Sequence, residues 1–105
     1  WIWMGDNVYA DNKRAKWDLP KSLMNAWKDP HGIESFLFEP ANLTRMRDLY
    51  ASQKEHPSYK LLAQSSTKIL GTWDDHDYGL NDGDRRFVHK RESQELFLDF
   101  LDEPR

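Results

Sequence analysis

Two short apolar runs, each ending in an acidic, turn-like cluster, constrain this chain more than any other feature. The first is Trp1-Ile2-Trp3-Met4, followed by Gly5-Asp6-Asn7. The second is Ile69-Leu70-Gly71-Thr72-Trp73, followed by Asp74-Asp75-His76-Asp77. A brief apolar run bounded by turn residues is how a buried strand reads. In layered α/β proteins, ligand sites lie just beyond the carboxyl ends of such strands. Both acidic clusters fall at that place.

Between the runs the pattern is helical or irregular. Residues 12–40 are rich in Trp, Lys, Pro and Gly, with turn signals at Asp29-Pro30 and His31-Gly32. They predict a loop carrying one short helix over 21–27. Leu43, Met46, Leu49 and Tyr50 then recur at helical spacing, with Asn42 as N-cap and an end near Lys54, before His56-Pro57. Tyr59, Leu61 and Leu62 predict a second short helix with Pro57 in its first turn. Residues 79–83 read as a loop. A last helix over 89–101 places Leu96, Phe97, Phe100 and Leu101 on one face, and Pro104 lies beyond its end.

The order is strand, helices, strand, loop, helix. A helical crossover between two strands predicts a parallel pair and an α/β class. Two strands cannot bury both of their own faces. The chain also starts directly in an apolar run and stops just after an amphipathic stretch. These features predict that residues 1–105 are part of one domain whose N- and C-terminal parts lie outside this sequence. Alone, the segment is expected to fold poorly.

Five Trp favour a buried, folded context over disorder. The formal net charge is −3, with both signs mixed and no basic stripe, so the electrostatic footprint of nucleic-acid binding is missing. No apolar run approaches the length of a bilayer span. The absence of Cys excludes disulfides and thiolate ligands within the segment and leaves the compartment open.

The chemistry lies in the two clusters. Asp6 follows a Gly at a strand end, where its carboxylate can face a cation or bridge two. Tyr9 lies three residues on, and a deprotonated phenol is a ligand for trivalent iron. Read alone, this segment is equally an ordinary turn with Tyr9 as core. The second cluster sets three carboxylates and an imidazole in a row with no Lys or Arg among them. Such carboxylates repel and call for something positive. Arg85 and Arg86 offer one compensation. A cation offers another, and oxygen with imidazole ligands suits iron, manganese, zinc or calcium. A solvated acidic loop is the simpler alternative. Asp11, Asn81 and Asp82 read as capping residues of loops, and His31, His56 and His89 as surface residues.

Together the clusters resemble the metallophosphatase (calcineurin-like phosphoesterase) superfamily, and within it the PhoD-like alkaline phosphatases and phosphodiesterases. Gly5-Asp6-Asn7-Val8-Tyr9 is similar to the family's second motif, in the Tyr-ending variant shared with purple acid phosphatases. Trp73-Asp74-Asp75-His76-Asp77 is similar to the third motif in its PhoD-like form. Tyr78-Gly79-Leu80-Asn81-Asp82 and the stretch 93–101 fit the same pattern. The resemblance implies a portion of a four-layer αββα sandwich. It implies two or more metal ions, Fe(III) with Ca or another divalent cation, and a phosphate ester substrate. Asp6 then corresponds to the bridging carboxylate, Tyr9 to the tyrosinate on the ferric ion, and Asp75 to a ligand of the second metal. His76 corresponds to the catalytic histidine that contacts phosphate or protonates the leaving group. Asp74, Asp77, Asn81 and Asp82 stand as further ligands or as residues that support the ligands.

The first Asp motif and the later His motifs of the family are absent from the segment, so it is expected to be nearly inactive alone. A secreted, periplasmic or cell-surface location is implied by resemblance only. Two other readings stay open: a structural calcium-binding module, and a degenerate interaction domain without catalysis.

Overall fold

The computed structural model describes residues 1–15 and 37–104. Strand β1 (Ile2–Met4) pairs with strand β4 (Leu70–Thr72). The pairing is parallel, as the crossover predicts, with Trp3 opposite Gly71. Two shorter strands, β2 (Asn12–Lys13) and β3 (Phe38–Glu39), form an antiparallel ribbon. Both fall at the ends of the stretch 12–40 that the sequence predicts as a loop, because two-residue strands carry no periodicity to detect. The helix expected over 21–27, and His31, lie outside the described residues.

Helix α1 (Leu43–Glu55) starts after Asn42, an extended N-cap whose Oδ1 accepts the Thr44 N–H at 2.8 Å. Helix α2 (Pro57–Gln64) has Pro57 at its first position, where no amide hydrogen is needed. Helix α4 (Lys90–Phe100) closes the described chain. Between β4 and α4 the acidic cluster is not a simple turn: Asp75–Tyr78 form a one-turn helix, α3. Asp74 is its N-cap, and Asp74 and Asp77 form a reciprocal capping box. His56 and His89 are exposed, as expected.

The core is mostly aromatic. Phe100 stacks on Tyr50 at 4.9 Å and on Tyr59 at 5.6 Å, and meets Trp3 edge-on at 5.4 Å. Val8, Ala10, Ala41, Met46 and Phe97 complete it. Trp3 and Gly71 occupy the sheet face turned to the helices. A side chain at Gly71 would stand 3.0 Å from Phe97 Cζ and Leu101 Cδ1. Glycine at this position leaves room for Phe97 and Leu101 to pack closely against β4.

Three apolar residues on the opposite sheet face are exposed. Ile2 is 63% exposed, Met4 83% and Leu70 42%, and register places Leu70 beside Ile2. The described residues therefore form a mixed helix-and-strand unit, compatible with an α/β class, in which helices cover one side of the parallel pair. No helix among the described residues is long and apolar enough to cross a membrane.

Candidate metal centre

The chain turns sharply at the carboxyl end of β1. Gly5 and Asp6 both have positive φ, 94° and 48°. A Cβ at Gly5 would stand 2.9 Å from Asp74 Cβ, so glycine is required both by φ and by the approach of the second loop. Asp6 takes the left-handed conformation that Asp tolerates better than most residues. Its side chain thereby meets α3 at the end of the adjacent strand.

Asp6, Asp75 and His76 each offer a ligand atom, and these atoms lie within 4.8 Å of one another. Asp6 Oδ1 is shielded from solvent and has no hydrogen-bond partner. A buried carboxylate oxygen without a donor is costly, and a cation is one way to satisfy it. Asp6 Oδ2 accepts the Tyr9 hydroxyl at 2.8 Å. That hydrogen bond, helped by burial and the charges of Asp6, Asp75 and Asp77, raises the Tyr9 pKa. Tyr9 is 56% exposed, and its ring lies 4.4 Å from that of His76. A cation on Asp6 would reverse the field that holds the phenol proton. The two carboxylates and the imidazole, with a phenol beside them, could thus hold a metal ion.

His76 is oriented by a residue that the sequence reading took for a loop cap. Its Nδ1 lies 2.8 Å from Asp11 Oδ1. A carboxylate can only accept, so Nδ1 carries the proton and Nε2 is left with its lone pair. Burial disfavours the imidazolium, but the Asp11 hydrogen bond and the charges of Asp11, Asp75 and Asp6 outweigh it, and the His76 pKa is raised. The other Asp11 oxygen does cap the loop, receiving the Asn81 amide at 2.9 Å. One signal for this role was present. In an extended segment residues two apart share a face, and Tyr9 and Asp11 both touch His76.

The remaining candidates act differently from one another. Asp74 uses Oδ1 on the Asp75 amide at 2.9 Å, as a cap. Asp77 is fully buried and surrounded by donors. Asn7 N, Val8 N and the Tyr50 hydroxyl reach its Oδ1, and Asn7 Nδ2 and Asp74 N its Oδ2, all at 2.9–3.2 Å. Burial pushes the Asp77 pKa up, and the donors pull against it without cancelling it. Asn81 and Asp82 contribute through their backbones: the Asn81 amide holds Asp11, and the Asp82 amide holds Asp75 Oδ2. Asp74, Asp77 and Asp82 lie outside the Asp6–Asp75–His76 group. Arg86 pairs with its neighbour Asp84, and the buried negative charge of Asp77 is met by N–H and O–H donors.

No family model, curated protein or solved structure matches the chain.

Proposed function

We propose that the chain is the metal-bearing portion of a metal-dependent phosphoester hydrolase of the PhoD-like kind, within a four-layer αββα sandwich. The observation that carries the reading is the convergence of Asp6, Asp75 and His76 from the ends of two parallel strands. The motifs of the resemblance lie at those same two strand ends.

Asp6 and Asp75 would hold the metal, with Tyr9 as the further ligand of a ferric ion. When bound, such ions polarise phosphoryl oxygens and activate water. The chain's own residues do the rest. Asp11 fixes the imidazole with Nε2 free. From there His76 can take a place beside a phosphoryl oxygen, or, as imidazolium, give a proton to the departing alkoxide. The Asp11 carboxylate beside Nδ1 supports the imidazolium needed for that transfer.

The test is Asp75→Ala in the full-length protein, with metal content by elemental analysis and turnover of nitrophenyl phosphate mono- and diesters. Metal and turnover should fall together. Metal at the wild-type level would remove Asp75 as a ligand, and a wild-type protein that turns over neither ester would remove the hydrolase reading.

A further inference from the structure

We infer that Asp77 is a positioning residue that sets the register of the two metal-bearing loops, with its carboxylate acting as the internal anion around which the first loop folds. The inference rests on the proposed metal centre and assigns Asp77 a task in it other than ligation.

The geometry is asymmetric in a telling way. Asp77 belongs to the second loop, yet three of its donors come from the first: the amides of Asn7 and Val8 at 3.0 and 3.2 Å, and Asn7 Nδ2 at 2.9 Å. Consecutive amides that converge on one carboxylate after left-handed residues form a concave anion nest. Asn7 Nδ2 also donates to the Thr72 carbonyl at 3.1 Å, which ties the loop to the end of β4. The same carboxylate accepts the Asp74 amide at 3.1 Å and so begins α3. One side chain thus fixes both the residue after Asp6 and the residue before Asp75. The positive φ of Asp6 costs energy that surrounding contacts must offset, and the nest around Asp77 supplies them at the next two residues. The Tyr50 hydroxyl, at 2.9 Å, is a donor that comes from neither loop.

The experiment measures Mn²⁺ binding by calorimetry, together with thermal unfolding, in the full-length protein, for wild type, Asp75→Asn, Asp77→Asn and Tyr50→Phe. Asp77→Asn puts an amide donor among donors. It should weaken Mn²⁺ binding about ten- to hundredfold, the usual range for residues that orient ligands. Tyr50→Phe removes a hydrogen bond to the same carboxylate without touching either loop. It should lower the melting temperature and leave the dissociation constant as in wild type. An unchanged dissociation constant in Asp77→Asn would overturn the inference. So would equal weakening in Asp77→Asn and Tyr50→Phe, because binding would then follow stability alone. If Asp77→Asn does not fold, Asn7→Ala decides by the same two outcomes, since it deletes the side-chain link and keeps the amides. The metal reading itself is judged separately: wild type that binds no Mn²⁺, or Asp75→Asn that binds as wild type does, would overturn that reading and the inference with it.

Discussion

Replacing Asp11 by Asn should switch the tautomer of His76. In the native protein the two Asp11 oxygens accept from different donors, His76 Nδ1 at 2.8 Å and the Asn81 amide at 2.9 Å. The Asp11 side chain is 1% exposed, so water does not take over either bond. Asparagine has one acceptor and one donor end. The Asn81 amide can only donate, so it claims the oxygen. The new NH₂ then faces Nδ1, and the imidazole keeps a hydrogen bond only by moving its proton to Nε2. Both bonds survive but lose their charge assistance, a difference of about 1 kcal/mol each. The total of about 2 kcal/mol should lower the melting temperature of the full-length protein measurably. The imidazolium also loses its carboxylate partner, so turnover should fall about ten- to hundredfold. The assay is the ¹⁵N–¹H correlation spectrum of the imidazole ring. A proton that stays on Nδ1 in Asp11→Asn would refute the reasoning, as would an unchanged melting temperature.

The other expectations concern the same centre. If Tyr9 binds ferric iron, the oxidised protein absorbs visible light by phenolate-to-iron charge transfer, and Tyr9→Phe abolishes the band while the fold survives; an iron-loaded wild type without the band refutes the assignment. His76→Asn should keep that band and slow turnover by about a hundredfold or more if His76 is a general acid, less for nitrophenyl esters, which leave without protonation; a colourless variant would make His76 an iron ligand. In the metal-free protein the raised His76 pKa contributes stability that is fully present below the unfolded value of about 6.5 and is lost as pH rises through the elevated folded value. Chemical denaturation across this window should show that loss in wild type and a flatter profile in Asp11→Asn.

The elements with a repeating pattern were legible in the sequence. Asn42, Pro57 and the Phe97–Phe100 face marked three helices because each signal is local, and the helical crossover predicted the parallel pairing. The convergence of Asp6 with His76 and Asp75 was readable as a hypothesis from position alone, since both clusters end apolar runs. The supporting residues were hidden. Asp11 looked like a cap and is one, but its second oxygen serves a ring 65 residues away. Tyr50 looked like core and is buried, yet its hydroxyl reaches Asp77. Asp77 itself, grouped with the ligand candidates, is occupied by donors from the other loop. Such roles depend on tertiary distances that no local spacing encodes.

The hydrogen bonds that build the site span 65 to 70 residues of chain. Nothing in the centre can form until β1 and β4 have met, so the site should appear late in folding, after α1 and α2 have docked through local contacts. The length of chain between them matters less than the fact of closure, because doubling such a loop adds only about 0.6 kcal/mol of entropy. The β2–β3 ribbon already gathers the base of the excursion, with Asn12 opposite Glu39. Insertions between those two strands should therefore be well tolerated. A cation that binds only the closed form would act as a folding ligand, adding about 2.7 kcal/mol when its concentration is a hundred times its dissociation constant.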